Sequence, residues 1–100
     1  MEGYDVLIYP TAQDDLRDIM EELYSSSVSQ ANEFLQQTVE ALQNLRAAPE
    51  QPPLAKDSQF RLRGYRALRL GGYIAFYSLW GNTIQLRRIV FSRPQYAGVI

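Results

Sequence analysis

Gly71-Gly72-Tyr73-Ile74-Ala75-Phe76-Tyr77-Ser78-Leu79-Trp80-Gly81-Asn82 decides the fold. Residues 73–80 contain no glycine or proline and are rich in aromatic side chains, which suit a pleated, buried strand. The flanking Gly71-Gly72 and Gly81-Asn82 are dipeptides that reverse the chain in two-residue hairpins. A strand closed by tight turns at both ends needs a neighbour on each side. Tyr65 to Leu70 and Thr83 to Phe91 are the candidates, giving a three-stranded antiparallel meander. Phe60-Arg61-Leu62-Arg63 alternates apolar and basic residues, which extends the strand period upstream of Gly64.

Further upstream the period changes. Leu16, Ile19, Met20 and Leu23 recur at spacings of three and four, while Asp14, Asp15, Asp18, Glu21 and Glu22 lie largely off that stripe, so an amphipathic helix is expected. Thr11 is placed to cap it, with Asp14 as the acidic member of a capping box. Ser25-Ser26-Ser27 interrupts the pattern, because serines favour caps and turns. Ala31, Phe34, Leu35, Thr38, Leu42 and Leu45 then mark a second helix that ends near Ala47-Ala48-Pro49, since the residue before proline is pushed out of the α region. Gln51-Pro52-Pro53 to Gln59 reads as a surface loop with little structure of its own. Tyr4 to Tyr9 is a first strand ended by Pro10, at the edge or the centre of the sheet. The expected fold is α+β: one two-layer β-α-α-β-β-β domain over residues 1–100, a helical hairpin packed on a mainly antiparallel sheet.

Composition restricts the chemistry. The 100 residues include no cysteine and no histidine, which removes disulfides, thiolate zinc sites, a cysteine nucleophile and the usual neutral-pH base. No metal and no cofactor is expected. No charged segment followed by an apolar run opens the chain, and no stretch approaches the ~18 apolar residues that span a bilayer, so a cytoplasmic protein away from membranes is expected. The net charge of −1 hides a strong asymmetry: residues 1–50 carry two basic side chains against ten acidic ones, and residues 51–100 carry eight basic ones against Asp57 alone. A basic surface for phosphate or for an acidic peptide follows, or else the halves neutralise each other across the fold.

Arg66 and Arg69 differ in parity on their strand, and Arg87 and Arg88 are neighbours on theirs. Strict alternation therefore sends one arginine of each pair toward the helical layer or its rim, where the acids of the first helix can meet it. Guanidinium groups grip phosphate in a planar, two-pronged way, although arginines on strands also serve simply to keep a sheet soluble. Tyr73, Tyr77 and Trp80 are either core or base-stacking groups. A ribonuclease without metal or histidine would use Arg66, Arg69, Arg88 and Arg93 to neutralise the phosphate, with Tyr96 or a polarised Tyr73 handling a proton.

Four words of sequence carry a resemblance. They are Pro10-x-Ala12-x-x-Asp15-Leu16, Gly64-Tyr65-Arg66-x-Leu68, Gly72-Tyr73-Ile74-Ala75-Phe76-Tyr77 and Arg88-Ile89-Val90-x-x-Arg93-x-x-Tyr96. In this order and spacing, from Tyr4 to Tyr96, the chain resembles the RelE/ParE superfamily of bacterial type II toxin–antitoxin systems, the plasmid-stabilisation type. The resemblance implies a growth-arresting toxin held inactive by a cognate antitoxin whose C-terminal segment wraps over it. It implies one of two targets: the ribosome with its messenger RNA, cut by RelE-like members, or DNA gyrase, inhibited by ParE-like members. A family member that binds its antitoxin and poisons nothing is the third alternative, and pairing of two copies into a homodimer through the helices stays open. The target- or antitoxin-binding residues implied are Arg61, Arg63, Arg66, Tyr73, Arg88, Arg93 and Tyr96. Those that serve as catalytic groups if the chain is a nuclease are Arg66, Arg69, Arg88, Arg93 and Tyr96. Ribonuclease members usually carry a catalytic arginine straight after the tyrosine of the central strand. Ile74 stands at that position, and the word Tyr73-Ile74-Ala75-Phe76-Tyr77 with the long helical hairpin is more similar to the ParE branch.

Overall fold

A computed structural model describes residues 3–92. Strand β1 (Asp5–Ile8) leads into helices α1 (Pro10–Ser26) and α2 (Val28–Ala47), a short helix α3 (Ser58–Leu62), and strands β2 (Arg66–Leu70), β3 (Tyr73–Trp80) and β4 (Thr83–Phe91). The sheet order is β1-β4-β3-β2. β2, β3 and β4 form the antiparallel meander, and β1 joins at the edge, parallel to β4. Both glycine turns fall where expected, with Gly71 at φ 60° and Gly81 at φ 55°, the left-handed region that glycine enters without a Cβ clash.

The helical hairpin covers one sheet face. Ala12, Ile19, Phe34 and Leu45 meet Leu70, Ala75, Tyr77, Ile84, Leu86 and Ile89 in the main core. Ser27 serves both helices: its N–H donates to the Leu23 carbonyl at the end of α1, and its Oγ accepts from the Gln30 N–H at the start of α2. The start of α1 differs from expectation. Pro10 is the first helical residue, since its missing N–H and fixed φ suit that position, and Tyr9 precedes it with no side-chain cap. Thr11 is therefore no cap and Asp14 closes no capping box; the Thr11 hydroxyl donates instead to the Arg87 carbonyl at 2.9 Å. Leu35, expected in the core, is 41% exposed.

The segment between α2 and β2 is more ordered than its composition suggests. Leu54 pairs with Arg66 across the free edge of β2, through bonds from the Ala67 N–H to the Pro53 carbonyl and the Ala55 N–H to the Tyr65 carbonyl. The Asp57 carboxylate accepts from the Gln59 and Phe60 amides and starts α3, so Phe60 to Leu62 are helical rather than a strand. α3 drops Phe60 onto Phe76, with ring centroids 4.6 Å apart, and leaves Leu62 87% exposed. A second, smaller core of Ala55, Ala67, Ile74 and Phe76 forms there, on the face opposite the helical hairpin.

Candidate functional site

Where each arginine goes is set by strand parity and by one irregularity. Between β3 and β4 the register steps from Tyr77 opposite Leu86 to Phe76 opposite Arg88, so Arg87 is an extra residue in a bulge. β1 has ended by then, and α1 takes over the exposed flank of β4. The Asp15 carboxylate accepts from the Ile89 N–H at 2.9 Å and from Arg88 Nε and Nη2 at 2.7 and 3.2 Å. Thr11 and Asp15, one helical turn apart, thus satisfy β4 backbone groups that a strand would otherwise pair. The expected meeting of an arginine with an acid of the first helix is this pair, with side-chain exposures of 48% for Arg88 and 17% for Asp15.

The other assigned residues are dispersed. Arg66 leaves β2 toward the helical side, and its Nη1 donates to the carbonyls of Glu50 and Pro52 at 3.1 and 2.6 Å, clamping the chain after α2. Arg69, of opposite parity, is exposed and reaches the Gly71 carbonyl. Arg61 and Arg63 stand exposed on and just after α3. Tyr73 lies on the helical face with its ring against Phe34 and Phe91. Arg93 and Tyr96 lie outside the described residues. Arg66, Arg69 and Tyr73 therefore do not share one surface.

Tyr73 and Tyr77 are poor proton carriers. Burial pushes the Tyr73 phenol up, and the Glu22 carboxylate adds to the rise. Tyr77 is fully buried and donates to the Pro49 carbonyl at 2.6 Å; burial pushes its pKa up to about 12, only partly opposed by Arg66. Trp80 alone of the three proposed stacking aromatics is largely exposed, at 74%. Among the described residues no three carboxylates gather to hold a metal ion.

Sequence reasoning missed Arg87 as a site residue. Its guanidinium lies on the face opposite the helical hairpin, 4.1 Å over the Tyr9 ring and 5.7 Å from the Tyr65 ring centroid. Nε donates to Ser78 Oγ at 3.3 Å and Nη2 to Gln85 Oε1 at 3.1 Å, while Ser78 Oγ also bonds Gln85 Oε1 at 3.0 Å. The only signal in the sequence was the adjacency of Arg87 and Arg88, which did not show the bulge that separates their surroundings.

The sequence profile of the ParE toxin of type II toxin–antitoxin systems, parDE, matches residues 6–96. This chain belongs to the ParE toxin family. It is a toxin of the RelE/ParE superfamily, and its fold agrees with solved relatives. A chain of the chromosomal ParDE system from P. aeruginosa is 22% identical with a TM-score of 0.73, over 90% of the toxin and 97% of that chain. A chain of the RelBE2 toxin–antitoxin complex from Mycobacterium tuberculosis is 21% identical with a TM-score of 0.57, over 90% of the toxin and 99% of that chain. No protein of curated function matches the toxin's sequence. No helix of the described residues is long and apolar enough to cross a membrane.

Proposed function

We propose that the toxin arrests growth by binding and inhibiting DNA gyrase, without cutting RNA, and that a cognate antitoxin neutralises it. Ile74 is the observation that carries this reading. It occupies the position where ribonuclease members of the superfamily usually carry a catalytic arginine, and it is fully buried beside Ala55, Ala67 and Phe76, with Phe60, Tyr65 and Val90 packed over that cluster. An arginine there would have to displace α3 to reach a substrate. The raised pKa of Tyr73 and its place on the helical face also argue against a proton-transferring role. Inhibition by binding asks only for a complementary surface, which an exposed sheet face and a basic second half supply.

A second reading, ribosome-dependent cleavage of messenger RNA, draws on Arg88, whose half-exposed guanidinium is held in place by Asp15. In it Arg93 and Tyr96 would join Arg88 around a phosphate, while Arg66, clamped on the Glu50 and Pro52 carbonyls, and Arg69, of opposite parity to Arg66, would not share that surface. Induction in cells separates the two. The gyrase reading predicts filamentation with DNA-damage signalling while protein synthesis continues. Rapid arrest of protein synthesis would overturn it, and normal growth would leave a member that binds its antitoxin and poisons nothing.

A further inference from the structure

The sheet face opposite α1 and α2 is only half covered. α3 lies over β2 and the adjoining part of β3, through Phe60 on Phe76 and Tyr65. Toward the β3–β4 turn, the strand registers lay out two rows, Asp5, Thr83 and Trp80, then Leu7, Gln85 and Ser78, of which Asp5, Leu7 and Trp80 are exposed and Ser78 is buried. Tyr9 and Arg87 follow along β1 and β4. Leu7 is 51% and Trp80 74% exposed, two large apolar side chains on an open face.

Arg87 is the cation beside these two rows, while Arg69, opposite Ile74, stands farther along the same face. Ser78 and Gln85 take two of its five N–H donors and Tyr9 supports its plane, which fixes its direction; the other three donors meet no acceptor among the described residues. Arg17 and Arg88 are each paired with aspartate, whereas the partners of Arg87 are all neutral. A half-buried guanidinium held by neutral groups has its missing complement in an oxyanion.

We propose that Arg87, with Leu7 and Trp80, forms a docking surface for an acidic polypeptide segment of a partner protein, a carboxylate seated on Arg87 and apolar side chains on Leu7 and Trp80. The proposal deepens the protein-binding reading above and rests on it for the choice of a polypeptide. The face itself agrees with that choice. A nucleic-acid strand needs cations that track its backbone, and beside these rows there is one, Arg87. A tryptophan and an arginine are among the side-chain types that most often carry the binding at protein interfaces, and the exposed Leu7 adds apolar area beside them.

Trp80 is the chain's single tryptophan, so its emission reports on this face alone. The full chain is titrated with a synthetic peptide alternating leucine and glutamate, with its glutamine counterpart, and with an oligothymidylate of equal charge. Trp80 emission and the NMR resonance of the Arg87 Nε–H are read together. The expected result is movement of both signals by the glutamate peptide, with half-saturation at about tenfold lower concentration than for the glutamine peptide, as one charge-assisted contact implies. Arg87→Gln removes that difference, Trp80→Ala weakens the peptide with the Arg87 signal still reporting, and Arg17→Gln, on α1, changes neither. Equal binding of the two peptides, no movement of Arg87, or tighter binding of the oligonucleotide would overturn the proposal. So would changes that follow protein concentration alone, which would make the occupant a second copy of the chain. The comparison of peptides in the unaltered chain holds even if Arg87→Gln fails to fold. No gyrase or ribosome enters the titration, so its failure is distinct from failure of the proposed function.

Discussion

Removing the Asp15 carboxylate tests how β4 is held where it has lost its neighbour strand. In Asp15→Ala the Ile89 N–H, on a residue 3% exposed, loses its acceptor at 2.9 Å. An unsatisfied buried amide costs about 1–3 kcal/mol. The ion pair with Arg88 adds less than about 1 kcal/mol, because the arginine side chain is 48% exposed and water screens it. Together the substitution should cost about 2–3 kcal/mol, which lowers the melting temperature of a domain this size by roughly 10–20 °C. Asp15→Asn retains an oxygen for Ile89 and should cost only about 1 kcal/mol. Thermal unfolding followed by far-UV circular dichroism gives the ordering, and amide hydrogen exchange gives the location. In Asp15→Ala the Ile89 amide should exchange at least about tenfold faster than before, relative to amides in the β2–β3 pairing. A melting temperature within about 3 °C of the parent, or an unchanged Ile89 exchange rate, would refute the idea that α1 acts as the missing strand.

Other outcomes follow from the same contacts. A Cβ on Gly3 would sit 2.4 Å from the Arg46 carbonyl oxygen, at the joint where the Tyr4 N–H donates to Arg46 O and Arg46 Nε donates to Tyr4 O; Gly3→Ala should cost about 1–3 kcal/mol in urea unfolding. Tyr77 binds its proton more tightly folded than unfolded. Stability is therefore unaffected below about pH 10 and falls as pH rises from about 10 toward about 12, by about 2–3 kcal/mol for two units. Tyr77→Phe should flatten that alkaline decline, at a cost near pH 7 of about 1 kcal/mol for the bond to Pro49, both read from unfolding at fixed pH. Replacing Arg66, Arg88 and Arg93 together by alanine should abolish growth arrest; arrest that persists in a folded triple variant would place the functional surface elsewhere.

The meander was legible because its information is local. Gly71-Gly72 and Gly81-Asn82 mark the turns on their own, and residues 73–80 fill the length between them with strand-forming side chains. The helical stripes were legible for the same reason, apart from Leu35, whose spacing suits the core but whose side of α2 faces solvent. α3 was misread because four alternating residues fit a strand as well as a helical turn. The cue lay three residues before Phe60, in Asp57, whose side chain caps the turn. The bulge at Arg87 was beyond local reading altogether, since Asp15, which accepts the Ile89 amide, lies 74 residues away from it in the chain. With the bulge went the site: arginine content showed a basic half, while the company each arginine keeps, carbonyls for Arg66, a carboxylate for Arg88 and two rings for Arg87, follows from tertiary contacts.

One paired measurement tests the central claim most directly. The purified toxin is added to a gyrase supercoiling reaction and, in parallel, to a purified translation system whose reporter transcript is mapped by primer extension. The account predicts loss of supercoiling and an intact transcript. Supercoiling that proceeds unhindered, together with codon-phased cleavage that requires ribosomes, would contradict it and would show that the buried Ile74 does not prevent catalysis.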